Sequence, residues 1–404
     1  MAASSTPLYG ARVPQHVVVI GGGAIGSSVA CFLARDFGVR VTVVERDPSY
    51  RFASSTLSAS SIRQQFSTAI NIRISQASLA FYRRIGEELA IGDERPDIGL
   101  VEPGYLFLAS AAGAEILRAN HEVQRTCGAD AVLLVPAELQ RRFPWLAVEG
   151  VALASLGLST ATSGEGWFDG YSVLQAFRRK AIALGVNYVA AEVERMTTAG
   201  GRVVRAQTSD GSAHEADAFV LAAGAWSAPL ARTLGFDLPV RARKRDVFVF
   251  QSPTRLPGCP LVIDPSGFWF RPEGQGFICG APPRGEDLDD APLEAIDHGL
   301  FDDWIWPHLA TRVPAFEALR RTHAWAGYYE YNTFDQNGLV GRVPGTDNAF
   351  VACGFSGHGI QQAPAVGRGI AELVATGEYR TLDLSPLSPA RIARGAPLVE
   401  ANVI

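Results

Sequence analysis

Hydrophobic positions fall in two rhythms along this chain: short β-branched runs bounded by Gly or Pro, and longer stretches with helical spacing. The first run, His16 to Ile20, meets Gly21-Gly22-Gly23-Ala24-Ile25-Gly26 and then an Ala- and Leu-rich segment to Phe37. This predicts strand, tight turn and helix. Gly38 is placed to close the helix, and Arg40 to Val44 reads as a second strand ending at Glu45. Farther on, Gly185 to Gly224 reads as two short strands around Ala199-Gly200-Gly201, a hairpin at Ser209-Asp210-Gly211, and a strand running into Ala222-Ala223-Gly224. Asn348 to Cys353 predicts another strand, followed by a Gly-rich turn and a helix to Thr376. Between them, 241–283 holds Val247-Phe248-Val249-Phe250, Phe268-Trp269-Phe270 and Phe277-Ile278-Cys279, aromatic and β-branched runs expected of strands.

Val17 to Ala34 carries no charge over 18 residues, long enough to raise the question of a membrane span. Its middle is crowded with Gly21, Gly22, Gly23, Gly26, Ser27 and Ser28, so no transmembrane segment is expected. Met1 to Gly10 has no positive charge, which fits neither a secretory signal nor an arginine-rich transit sequence. It reads as a short disordered leader on a cytoplasmic protein.

The 404 residues imply two or three domains. Basic residues number 36 against 41 acidic, a net charge of −5, so nothing favours a nucleic-acid partner. Only Lys180 and Lys244 are lysines, and neither precedes Ser or Thr, which excludes a P-loop. The five cysteines are scattered and read as reduced core thiols, and no histidines are spaced as a ligand pair, so no metal is expected. The run Arg241-Ala242-Arg243-Lys244-Arg245 reads as a solvated or carboxylate-facing strand entry, and Glu286-Asp287-Leu288-Asp289-Asp290 as an acidic surface loop.

Within the N-terminal unit, Gly21-x-Gly23-x-x-Gly26 supplies the glycines for a tight turn, close approach of a pyrophosphate and close helix packing. The helix N-terminus adds free N–H groups and its positive dipole end. Glu45 follows Gly26 by 19 residues, where a carboxylate can accept both ribose hydroxyls and would repel a 2′-phosphate. The unit therefore predicts dinucleotide binding, but by itself does not separate FAD from NAD. An NAD-dependent dehydrogenase would leave everything beyond residue 50 unexplained.

Over nearly its whole length the chain resembles the D-amino-acid oxidase superfamily of FAD-dependent oxidoreductases, the group holding glycine oxidase, sarcosine oxidases and sarcosine dehydrogenase. The likeness runs from the βαβ unit through Ala-Ala-Gly-Ala-Trp-Ser (222–227) to Gly-Phe-Ser-Gly-His-Gly (354–359). Ser61 to Ser67, Gly166 to Asp169, Trp306 to Ala310 and Tyr331 to Gly338 are similar to a mitochondrial branch implicated in respiratory complex I assembly. The resemblance implies an α/β fold: a Rossmann-like FAD-binding domain from 14–95, 146–235 and 326–385, and a discontinuous substrate domain on a mixed or antiparallel sheet from 96–145 and 236–325. A C-terminal tail, 386–404, completes the division.

The resemblance also assigns roles. FAD would be held by Gly21, Gly23, Ala24, Ile25, Gly26, Glu45 and Arg46, by Ser60, Ser61 and Val193, by Ala223, Gly224 and Trp226, and by Gly354, Gly357, His358, Gly359, Ile360 and Gln361. The reaction implied is oxidation of the C–N bond of a small amine or amino acid by hydride transfer to flavin, the imine then being hydrolysed. Arg63 matches an arginine that clamps the substrate carboxylate, and Tyr328, with Trp325, Tyr329 and Tyr331, forms either a pocket wall or sheet packing. His358 matches a flavin-facing turn more than a general base. Gln361 and Ile278 stand where some sarcosine oxidases carry lysines, which favours a dehydrogenase with an unidentified acceptor over an oxidase. No His or Cys stands at the usual attachment points, Ser58 to Ser61 and Gly327 to Tyr329, so non-covalent FAD is expected. The alternative implied is an FAD-binding assembly factor with a respiratory-chain protein partner and little turnover. Its place would be the cytoplasm in a bacterium and the mitochondrial matrix in a eukaryote.

Overall fold

The N-terminal pattern forms as the glycine spacing dictates: strand His16–Ile20, helix Ala24–Phe37 and strand Arg40–Glu45, with Gly38 closing the helix at φ 63°. The structure is a computed structural model that describes residues 13–402, and the leader expected over Met1 to Gly10 lies outside the described residues. Among those residues no helix is long and apolar enough to cross a membrane.

The strand His16–Ile20 lies inside a six-stranded sheet, between Ala218–Leu221 and Arg40–Glu45. Ala349–Cys353 continues the sheet on one side and Asn187–Ala190 on the other, all parallel, and Leu339–Arg342 adds an antiparallel edge. The central strands are apolar at almost every position because both faces are covered, one by helices and the other by a three-stranded sheet over Val193–His214 and the short helix Ser227–Arg232. Helix Gly359–Thr376 packs on Ala24–Phe37 where Gly367 meets Ser28, whose Oγ donates to the Ala363 carbonyl at 2.9 Å. Small residues at this crossing let the two helices approach, and both begin at glycine-rich turns on the same edge of the sheet.

The second sheet has eight strands and is antiparallel except between Leu261–Ile263 and Tyr105–Ala109. Its core is phenylalanine-rich, with Phe248, Phe250, Phe268, Phe270, Phe277, Phe301 and Phe316 buried together. Two of the expected domain edges shift. Leu153–Gly157, placed by sequence in the FAD-binding segment 146–235, pairs with Tyr105–Ala109 and Ala131–Leu134 in this second sheet. Arg320–Asn332 runs unbroken across the expected boundary at 325/326 and pairs along Val240–Gln251. Nor is 386–402 a free tail: Arg391 forms a buried double ion pair with Asp335 at 2.7 and 2.9 Å, and Glu400 accepts from the amides of Ser67 and Thr68 ahead of helix Ala69–Tyr82.

The Val240–Gln251 and Arg320–Asn332 ladder positions the site. Its first half reaches the glycine-rich edge of the six-stranded sheet, its second half sits in the phenylalanine core, and Arg245 pairs with Gly327 between them.

A candidate active site between two sheets

A cavity of about 980 Å³ opens at that junction, at the upper end of the range of roughly 300–1,000 Å³ for small-molecule sites. One end is the βαβ edge. Gly21 has φ 96°, and a Cβ there would run into the Ala222 carbonyl, so only glycine fits the turn. Helix Ala24–Phe37 has no side-chain cap and no acid in its first turn, which leaves its leading amides for an anion. Glu45 accepts from the amides of Gly22 at 2.6 Å and Asp47 at 2.9 Å. Burial nevertheless pushes its pKa up, the two amides only partly offsetting the loss of water.

Two buried oxygens on this wall, Tyr50 Oη and Ser54 Oγ, have no hydrogen-bond partner. Unmet polar atoms in a cavity call for a polar occupant. Together with the glycine turn and the ribose-positioned carboxylate, they fit the nucleotide part of FAD.

Of the cofactor residues expected from sequence, Gly21, Gly23, Ala24, Ile25, Glu45, Arg46, Ser60 and Ser61 line the cavity. So do Val193, Ala223, Gly224, Trp226, Gly357, Gly359 and Ile360. Arg46 stacks on the Trp226 ring at 3.8 Å, which in turn meets Tyr328 edge-on at 5.9 Å. Gly26 lies behind the turn, where a Cβ would collide with the Gly21 carbonyl; its role is helix-to-sheet contact rather than lining. Gly354 is also set back, donating its amide to Glu330 Oε2 at 3.1 Å. Tyr328 and Tyr329 form part of the wall, while Tyr331 is outside it under Arg243 at 5.7 Å, so the aromatic cluster divides between pocket and packing.

Three expected catalytic residues are elsewhere. Arg63 does not line the cavity: it is 1% exposed, and its guanidinium donates to the main-chain carbonyls of Gln65 and Asn402 and, at 3.0 Å, to His358 Nε2. Phe66 covers its face at 4.2 Å. The donors expected to clamp a substrate carboxylate are thus spent inside the protein. His358 accepts from Arg63 through Nε2, and burial beside that charge pushes its pKa down to about 3, leaving it neutral and unable to act as a base near neutral pH. Gln361 Oε1 accepts from the Arg63 amide at 3.0 Å. The three form one buried brace behind the glycine-rich turn 354–359.

Sequence reasoning missed two charged groups. Glu330 lines the cavity with its carboxylate between Gly224 and Gly359; Cβ atoms built there would lie 3.8 and 3.0 Å from its oxygens. Its partners are the amides of Gly354 and Phe355, and loss of water in the cavity wall, where it is half-buried, pushes its pKa up to about 7 against an ordinary 4.5. The alternation of Tyr328, Tyr329, Glu330 and Tyr331 in a strand was the one signal available. The second is Arg245, read only as part of a basic run.

A turn that fits a dinucleotide, a ribose-placed carboxylate and a second sheet closing the cavity fit a dinucleotide-dependent oxidoreductase. The chain belongs to the family of FAD-dependent oxidoreductases (DAO), which matches residues 16–373. It is 43% identical to FAD-dependent oxidoreductase domain-containing protein 1 of Xenopus laevis, across 96% of this chain and 84% of that protein. Similarity to 4-methylaminobutanoate oxidase (formaldehyde-forming) of Paenarthrobacter nicotinovorans is 28%, over 93% of this chain and 45% of that longer protein. Among solved structures, L-proline dehydrogenase from P. horikoshii superposes with a TM-score of 0.82 at 27% identity, covering 96% of this chain and all of that one.

Proposed function

We propose that this protein oxidises the C–N bond of a small amine or amino acid, holds FAD without a covalent link, and passes electrons to an acceptor other than oxygen. The observation that carries the reading is one cavity lined both by nucleotide-binding features and by two half-buried charged side chains, Glu330 and Arg245. Relatives named for 4-methylaminobutanoate and L-proline support the substrate class. Bound FAD supplies the hydride acceptor. The protein's part is to orient the amine and take its proton, because an ammonium nitrogen has no lone pair to assist loss of hydride. Glu330, held by the Gly354 and Phe355 amides, takes that proton on a remaining lone pair of its carboxylate, and its raised pKa suits the exchange near neutral pH.

Among the described residues no Cys or His side chain lines the cavity, which supports non-covalent FAD, and neither lysine of the chain does, which supports a dehydrogenase. Anaerobic titration of the flavin-loaded protein with sarcosine, dimethylglycine, proline, pipecolate and D- and L-amino acids is expected to bleach the flavin with at least one compound. Air is then expected to restore the colour slowly and an artificial dye quickly. A flavin reduced by none of them would remove the enzymatic reading, and rapid reoxidation by air would remove the dehydrogenase assignment.

A further inference from the structure

Arg245, Asp246 and Trp269 converge with the Ala281-Pro282 corner at the end of the cavity nearer the eight-stranded sheet. Arg245 is the cation of this end among the described residues; the other lining arginines, Arg46 and Arg51, stack on Trp226 and Phe52. Its guanidinium carbon is 5.2 Å from the centre of the Tyr329 ring. That ring lies against Gly357 so closely that a Cβ there would come within 2.5 Å of it. One aromatic ring therefore separates the guanidinium from the glycine-rich turn.

The fork of Arg245 already holds a carboxylate. Nη1 and Nη2 donate to Asp287 Oδ1 and Oδ2 at 2.8 and 2.9 Å, the paired geometry that suits a planar guanidinium. Asp287 belongs to the segment between the strand Gly276–Gly280 and Leu300, which is pinned from several sides: Arg243 donates to the Asp287 carbonyl and pairs with Asp289 at 2.6 Å, and Tyr328 Oη donates to the Ala291 carbonyl at 2.8 Å. The Asp287 side chain is 28% exposed, so water reaches the pair.

We propose that Arg245 anchors the carboxylate of an amino-acid substrate, and that Asp287 occupies the same fork until the substrate displaces it. The substrate class rests on the amine-oxidoreductase reading. Exchanging one carboxylate for another keeps Arg245 paired throughout, so no bare, partly buried cation is left behind. The displaced Asp287 is hydrated rather than stranded. An amine without a carboxylate has no means of displacing Asp287, so the same latch selects amino acids over plain amines.

The test uses FAD-loaded protein and two unreactive ligands of one shape, 2-furoate and 2-furamide, read by perturbation of the flavin absorbance. Asp287→Asn is expected to tighten 2-furoate about tenfold, the order of one charge-assisted contact that no longer has to be displaced, and to leave 2-furamide within about twofold. Arg245→Gln is expected to abolish the preference for the carboxylate; if that variant loses flavin, Arg245→Lys, which keeps the charge but not the fork, is expected to weaken 2-furoate alone. The proposal is overturned if Asp287→Asn leaves 2-furoate unchanged, tightens both ligands alike or shows no binding of it, or if the Arg245 variants keep the preference. Tightened 2-furoate in a protein whose flavin no amine bleaches would leave the anchor standing and remove only the chemistry.

Discussion

Replacing Arg391 with methionine is expected to lower the free energy of unfolding by about 3–5 kcal/mol, the usual cost of leaving one partner of a buried ion pair uncompensated. Arg391 and Asp335 are 3% and 0% exposed at the side chain, and Arg391 also donates to the carbonyls of Leu387, Asn337 and Gly338. Asp335 in turn accepts from Asn332 Nδ2 at 2.7 Å and from the Leu398 amide at 2.9 Å. The pair thus fastens the C-terminal segment to the strand that carries Glu330. Urea denaturation of the single variants and of Asp335→Asn/Arg391→Met checks this: the double variant is expected to recover part of the loss. A single-variant loss below about 1 kcal/mol would show that the pair is not holding the segment.

Glu330→Gln is expected to stabilise the flavin-free protein in alkali and not in acid. The folded-state pKa of about 7 lies above the ordinary 4.5, so the native state holds this proton more tightly than the unfolded chain does. The penalty is absent below pH 4.5, grows through the window between the two values, and is complete above 7; stability falls as pH rises. A shift of that size corresponds to about 3 kcal/mol at pH 8 and to less than about 1 kcal/mol at pH 5. The amide keeps an oxygen for the Gly354 N–H without the half-buried charge. Melting temperatures of both proteins across that range measure the effect, and an equal shift at both pH values would contradict it. In turnover the same variant is expected to be slower and to lose any pH step near 7, a gain in stability bought with activity.

The N-terminal strand, turn, helix and strand were legible because their chemistry is local: three glycines, a capping Gly38 and Glu45 are read within thirty residues. Gly357, Gly359 and Ile360 were legible for the same reason. What failed was what depends on contacts distant in sequence. Arg63 matched a substrate clamp in its own motif, but its partners Asn402 and His358 lie 339 and 295 residues away. Leu153–Gly157 is buried at every position, so it carries no alternation to show which sheet it joins. The basic run at 241–245 had two readings, solvated or facing carboxylates, and the acidic loop only one, a surface. Their pairing through Arg243, Arg245, Asp287 and Asp289 joins segments about forty residues apart that charge patterning alone does not match. Glu330 stood unnoticed in an aromatic strand because only the arrival of Gly224 and Gly359 beside it makes its place in the cavity wall visible.

A crystal structure of the FAD-loaded protein would test the central claim, that one cavity serves as both cofactor and substrate site. The pyrophosphate is expected against the Gly21 to Gly26 turn, the adenosine ribose against Glu45, and the isoalloxazine beside Gly357 and Gly359 with Glu330 and Arg245 on the open side. FAD placed with its ring away from Glu330, or filling the space up to Arg245, would contradict the account.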